Sequence, residues 1–201
     1  MGNATRIWLV RHGESQAQTK ESDDQVNPEL TEKGRTQAMA LRKPLADLHP
    51  DLILVSPLQR AVATFALSGV KAPCMRFDSR AAEGNWGIPT FYDGILPVVT
   101  PRELAEADVH DAWQTPSEIR AKDLLDDVRK GDAERVLVFG HYGIFARIFM
   151  AFCEMDTADH SLLAMMGNTA ISCLEYSKDD RRRVWFWNVH PHSLAPRQEP
   201  K

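Results

Sequence analysis

The sequence predicts an α/β fold in which short buried strands feed helices around one core, and three observations predict it. Apolar runs of strand length recur at residues 7–10 (Ile-Trp-Leu-Val), 51–55 (Asp-Leu-Ile-Leu-Val) and 135–140 (Arg-Val-Leu-Val-Phe-Gly), as buried strands require. Each run gives way to a corner and then to a helical pattern, so strand followed by helix repeats along the chain. The polar residues suited to chemistry gather at those corners: Arg11-His12-Gly13-Glu14, Ser56-Pro57-Leu58-Gln59-Arg60 and Gly140-His141-Tyr142-Gly143. In an open α/β sheet, ligands bind in the crevice beyond the carboxyl ends of the strands.

The chain has 201 residues, 43% hydrophobic and 26% charged, which fits a single domain over residues 1–192 with a sizeable core. Residues 193–201, polar with two prolines, read as a disordered tail. A formal net charge of -4 argues against a general nucleic-acid surface. Cys74, Cys153 and Cys173 are odd in number and widely spaced in apolar segments, so they read as small buried hydrophobes rather than a disulfide frame or zinc site. No apolar run approaches the roughly 20 residues of a membrane span, and the N-terminus lacks a signal-peptide core. Met1-Gly2 lacks the Ser or Thr at position six that myristoylation wants, since Arg6 stands there. A cytoplasmic protein is expected.

The first strand ends at Arg11 and His12, and Gly13 lets the backbone turn tightly and approach a ligand. Residues 15–28 are polar and suit an exposed loop arching over the site. Thr31 then caps a helix whose apolar face is Leu30, Ala38, Leu41, Leu45 and Leu48, and Pro44 should kink or end it. After the second strand, Pro57 is expected at the first helical position, which puts Arg60 in the first turn, where its charge and the free amides face an anion. A third strand is expected at 74–77. Residues 78–100 then run without a sustained period, and long irregular insertions are usually functional. Within this segment, Trp86, Phe91 and Tyr92 could wall Glu83 from water and raise its pKa toward that of a proton donor.

Residues 101–110 suggest a short helix, and 116–130 a longer one with Ile119, Leu124, Leu125 and Val128 on one side, ended by Gly131-Asp132. The strand at 135–140 runs into His141 and an apolar helix at 144–153. A second imidazole thus occupies the same kind of corner as the first. Strands are expected at 169–176 and 184–189, joined by an exposed hairpin connection at 177–183. His190 and His192 form a His-x-His pair, but no Cys, Asp or Glu at usual ligand spacing accompanies it, so no metal site is expected. There is no internal repeat.

These residues fit one chemical task. A phosphate monoester needs cations to hold its dianion, an in-line nucleophile, and an acid for the departing oxygen. Arg11 and Arg60 offer forked donors to phosphoryl oxygens, and His141 adds another donor if protonated. His12 can attack phosphorus through a neutral ring nitrogen, while Glu83 first donates a proton and then acts as base on water.

On Arg11-His12-Gly13-Glu14-Ser15, the helix start Leu30-Thr31-Glu32-Lys33-Gly34-Arg35-Thr36-Gln37-Ala38, Ser56-Pro57-Leu58-Gln59-Arg60-Ala61, Glu83 in its Gly/Trp loop, and Gly140-His141-Tyr142-Gly143, the chain resembles the histidine phosphatase superfamily, also called phosphoglycerate mutase-like. The resemblance implies a three-layer α/β/α sandwich with a mostly parallel central sheet. It also implies that His12 is phosphorylated, that Arg11, Arg60 and His141 hold the phosphoryl group, and that Glu83 is the proton donor, with no metal or other cofactor.

Two departures stand out. Gln18 occupies a position where the family often has Asn, and its longer carboxamide is expected to reach the phosphoryl group with altered geometry. Tyr142 follows the second His where a small residue is common, so its amide binds the anion while its ring narrows the pocket. The donor loop also lacks the Glu-Arg-His-Tyr-Gly pattern of cofactor-dependent phosphoglycerate mutases. The leading expectation is therefore a metal-independent phosphomonoesterase acting on a small phosphorylated metabolite. A mutase that returns the phosphoryl group to substrate, and a catalytically silent phospholigand-binding protein, are the alternatives. Specificity is assigned to residues 78–113 and the loop around Asp24; the sequence leaves self-association open.

Overall fold

The computed structural model describes residues 4–24, 27–83, 115–155 and 163–190. Six strands, β1 (Thr5–Arg11), β2 (Leu52–Val55), β3 (Cys74–Phe77), β4 (Arg135–Gly140), β5 (Ile171–Tyr176) and β6 (Arg182–Val189), form one sheet ordered β3-β2-β4-β1-β5-β6. Neighbours from β3 to β1 run parallel, whereas β5 is antiparallel to β1 and to β6. The described helices are α1 (Gln16–Thr19), α2 (Glu32–Ala40), α3 (Arg42–Leu45), α4 (Gln59–Ser68), α5 (Ser117–Lys130) and α6 (Tyr142–Phe152), with a 3-10 turn at Ser79–Ala81.

Side-chain alternation along the strands builds two cores, one on each face of the sheet. Ile7, Leu9, Leu54, Val136, Val138 and Leu174 pack with Leu124 and Val128 of α5 and Ile144, Phe145 and Ile148 of α6. Val10, Ile53, Val55, Leu137 and Phe139 face the other way, onto Leu41, Leu45, Val62 and Phe65 from the α2–α4 side. The result is the three-layer α/β/α sandwich with a mostly parallel sheet. Both faces of β1 and β4 are covered, which is why their sequences are apolar without a polar alternate. No described helix is long and apolar enough to cross a membrane.

Thr31 caps α2 as expected, its hydroxyl accepting from the Gly34 amide at 3.0 Å. Pro44 acts as expected too: it can donate nothing to the Ala40 carbonyl and its ring crowds that group, so α2 stops at Ala40 and α3 restarts at Arg42.

Several expectations are corrected. Residues 15–28 are not all exposed loop: Gln16–Thr19 forms a helical turn, and Ser15 and Asn27 are buried. Pro57 is not the first helical residue, because the Leu58 amide donates to Ser56 Oγ at 3.3 Å and this turn delays α4 to Gln59. Ile119 is 48% exposed, since α5 buries positions 120, 121, 124, 125 and 128 and 119 lies off that stripe. Cys74 is exposed on edge strand β3; only Cys173 is fully buried, with Cys153 between them. Strand β5 begins at Ile171, after Thr169 with φ of 55°, and β6 begins at Arg182, inside the expected connection. The helix expected at 101–110, the aromatic wall of Trp86, Phe91 and Tyr92, His192 and the tail at 193–201 lie outside the described residues.

Candidate active site

The carboxyl ends of β1 and β4 lie side by side, and His12 extends their pairing by donating its amide to the Gly140 carbonyl at 3.0 Å. On the other side, the Thr169 amide donates to the Arg11 and His12 carbonyls at 3.1 and 3.2 Å. The backbone that carries His12 is thus fixed from both flanks. Its imidazole is 5% exposed, and Nδ1 lies 2.6 Å from the Gly13 carbonyl oxygen. A carbonyl can only accept, so Nδ1 carries the proton and Nε2 keeps its lone pair. Burial first, then the charges of Arg60 and Arg11, push the His12 pKa well below its ordinary value, outweighing the Gly13 contact. The ring is neutral.

Gly13 is needed for a reason beyond the one expected. A Cβ there would lie 2.4 Å from the Gly34 carbonyl oxygen, and one on Gly34 would lie 2.0 Å from that of Glu14. The catalytic-type loop and α2 touch backbone to backbone, which only glycine on both sides permits. Glu14 fastens the same contact: its amide donates to Gln37 Oε1, and its carboxylate accepts from Thr31 Oγ1 at 3.0 Å and Lys33 Nζ at 2.7 Å.

Helix α4 brings Arg60, which is 7% exposed and therefore no solvated surface charge. Thr64, one turn on, accepts from the Gly13 amide at 3.0 Å and donates to the Arg60 carbonyl at 2.6 Å, so this first turn is locked to the His12 loop. Arg11 Nη1 donates to the Met166 carbonyl. Burial lowers the Arg11 pKa, and Glu83 and Tyr142 oppose the shift; a guanidinium so placed stays charged.

His141 caps α6 from the end of β4 and is fully buried, its ring centroid 5.0 Å from that of His12. Its Nε2 lies 2.8 Å from Ser56 Oγ, and Nδ1 has no hydrogen-bond partner among the described residues. Burial and then Arg60, with His12, Arg11 and Arg120, drive its pKa well below the ordinary value. The further donor expected of His141 if protonated is therefore disfavoured in this state, where the neutral ring offers one N–H.

Glu83 follows the 3-10 turn and reaches α6, where the Gly143 amide donates to Oε2 at 3.2 Å. Glycines make room for it: a Cβ on Gly143 would meet Glu83 Oε1 at 2.1 Å, and one on Gly140 would meet the Ala81 carbonyl at 2.9 Å. Tyr142 is half-buried, with its hydroxyl donating to the Leu163 carbonyl at 2.9 Å. Gln18 is exposed at the rim and exchanges hydrogen bonds with Asn168 at 3.2 and 3.1 Å; Asn168 also donates to the His12 carbonyl at 3.1 Å. Gln18 is also the third residue of α1, and its Oε1 accepts from the Ser15 amide at 3.0 Å.

The structure therefore gathers Arg11, His12, Arg60, His141 and Glu83, which come from four separated segments, around the ends of β1 and β4, with Tyr142 and Gln18 beside them. His190 packs instead against Gly167, where an added Cβ would meet its Cε1 at 2.4 Å, and the described residues contain no cluster of three or more His, Cys, Asp or Glu that could hold a metal. Sequence reading missed Thr64, Asn168 and Arg120. Only Arg120 left a signal, as an arginine on the apolar stripe of α5.

The model of the histidine phosphatase superfamily (branch 1) matches residues 7–190. A glucosyl-3-phosphoglycerate phosphatase of Mycobacterium tuberculosis is 35% identical over 186 residues, 83% of each chain. A mycobacterial glucosyl-3-phosphoglycerate phosphatase solved with VO3 superposes with a TM-score of 0.64 at 25% identity, covering 92% of this chain and 99% of that one. A phosphoglycerate mutase from Bacillus anthracis str. Sterne shares the fold, with a TM-score of 0.67 at 20% identity over 96% and 97% of the chains.

Proposed function

Since the chain belongs to the histidine phosphatase superfamily and is a phosphatase of a small phosphorylated metabolite, we propose that it works without metal, through a phosphohistidine on His12. The observation that carries this reading is the neutral His12 ring, its Nδ1–H bound to the Gly13 carbonyl and its Nε2 free to attack, between Arg11 and Arg60.

In the first half-reaction the Nε2 lone pair forms the N–P bond while the P–O bond to the alcohol breaks. The electron pair of that bond stays on oxygen, which takes a proton from Glu83. As the ring gains positive charge, the Gly13 carbonyl accepts a stronger hydrogen bond from Nδ1–H, which stabilises the intermediate. In the second half, Glu83 takes a proton from water, the water oxygen bonds to phosphorus, and the N–P pair returns to Nε2. Arg11 and Arg60 hold the equatorial oxygens throughout, each charged hydrogen bond contributing about 1.5–3 kcal/mol. His141 joins them, since a dianion offsets the charges of Arg60 and Arg11 that add to burial in keeping its ring neutral.

The substrate is a phosphorylated sugar or a similar polyol acid, a reading supported by the activity named for the 35% identical relative. Gln18 and the Tyr142 amide contact it at the rim. A cytoplasmic location is part of this proposal. The test is phosphate release from sugar phosphates, phosphoglycerates, nucleotides and phosphopeptides with a chelator present. Preferential, chelator-resistant hydrolysis of the sugar-type esters is expected; activity only on phosphopeptides, or only with added metal, would overturn the reading.

A further inference from the structure

Arg120 is one of the largest fully buried side chains of the described fold, with 1% of its surface exposed. A guanidinium is rarely taken out of water without a specific use for its charge and donors. It stands on the stripe of α5 that otherwise buries Ala121, Leu124, Leu125 and Val128, where an apolar residue would pack at lower cost. Its Nη1 bridges one short stretch of chain, and Nε turns back to the residues just before its own helix. Nη1 donates to the Ser79 carbonyl at 3.3 Å and to that of Ala82 at 3.0 Å, and Nε donates to the Thr115 carbonyl at 3.1 Å. Ala82 is the residue before Glu83. The Glu83 carboxylate is in turn the leading charge offsetting the burial of this guanidinium, ahead of Glu118.

These contacts place Arg120 beside the segment that carries Glu83, and its charge also bears on the buried His141 ring. It grips the chain one residue before Glu83, while the Gly143 amide grips the Glu83 carboxyl group itself. We propose that Arg120 is a positioning residue for proton transfer: it fixes the Ala82 carbonyl and with it the backbone that carries Glu83, holding the protonated carboxyl where it can give its proton to the departing oxygen, and its charge stabilises the carboxylate left behind. This rests on the phosphatase reading and deepens it. The inferred role is narrow. Esters with poor leaving groups need the proton, whereas p-nitrophenyl phosphate needs little of it and depends on His12 and the two arginines.

The experiment compares an alkyl phosphate with p-nitrophenyl phosphate in wild type, Arg120→Gln, Arg120→Lys, Glu83→Gln and the Arg120→Gln/Glu83→Gln double variant. Arg120→Gln is expected to lower kcat/KM, which reports the first half-reaction alone, on the alkyl ester by about tenfold or more, a share of the 10²–10⁴ that a general acid supplies, and on the nitrophenyl ester by less than about twofold. Arg120→Lys should recover part of the loss, and adding Arg120→Gln to Glu83→Gln should cost nothing further in kcat/KM on the alkyl ester. Equal loss on both esters in Arg120→Gln, or additive losses in the double variant, would overturn the proposal. If Arg120→Gln does not fold, as circular dichroism would show, Arg120→Lys decides by the same selectivity: equal effects on the two esters reject the role. Glu83→Gln separates the two readings, because equal slowing of both esters in that variant refutes Glu83 as the acid whatever Arg120 does.

Discussion

At the scale of single residues, the site is a balance between burial and charge. His12 and His141 lie 5.0 Å apart with Arg60 and Arg11 beside them, an environment hostile to any further positive charge. Neutral imidazole is what a nucleophile attacking phosphorus requires, so the crowding of cations serves attack as well as anion binding. Replacing His12 with Ala is expected to remove covalent labelling and at least about 10³-fold of turnover, the scale lost when a covalent nucleophile is deleted, with circular dichroism unchanged. Arg60→Gln should instead leave some labelling while weakening vanadate binding by about 10-fold or more, the equivalent of one lost charged hydrogen bond; unchanged vanadate affinity in a titration would remove Arg60 from the cradle.

At the scale of elements, the loop after β1 is held by its neighbours rather than by its own conformation. Gly13 and Gly34 meet backbone to backbone, Thr64 ties the loop to α4, and Glu14 pins it to Thr31 and Lys33. A methyl group at Gly34, placed 2.0 Å from the Glu14 carbonyl, has no flexible neighbour to displace. Gly34→Ala should therefore destabilise the fold by about 1–3 kcal/mol, the usual cost of overpacking, and lower kcat as α2 pushes the His12 loop. A chemical denaturation midpoint equal to that of wild type would mean the two backbones do not touch. By contrast, Thr31→Ala removes the cap of α2 and should cost about 1 kcal/mol with little change in kcat, since Glu14 keeps Lys33 and the loop keeps Thr64.

At the scale of the whole molecule, the two buried histidines link stability to pH. Both have folded-state pKa values well below the ordinary 6.5, so between those values and 6.5 the unfolded chain binds protons that the native one refuses. Stability is then fully present above about pH 6.5 and falls as pH drops, by up to about 1.4 kcal/mol per pH unit for each histidine. Thermal melts from pH 7.5 to 5 should show Tm falling with acid, less steeply in His141→Asn; a wild-type Tm that rises with acid would reverse the assigned sign.

Much of this architecture was legible in the sequence because strands buried on both faces are apolar throughout, and because His12, Arg60 and His141 each stand just past a strand. Other features depend on partners distant in the chain. Nothing near Gly13 announces Gly34 as its neighbour, Pro57 gave no sign that Ser56 would capture the Leu58 amide, and Ile119 was drawn into the apolar stripe that Arg120 in fact occupies. The buried arginine is the case where a polar residue on a core face marked a function rather than a misread period.

The mechanism stands or falls with His12 as the carrier of the phosphoryl group. Rapid acid-free quench of the enzyme during turnover, followed by peptide mass spectrometry, tests it most directly. A phosphoryl group on the His12 peptide, stable in base, lost in acid and absent from His12→Ala, is the expected result; turnover with no covalent phosphate, or with an acid-stable one on another residue, would contradict it.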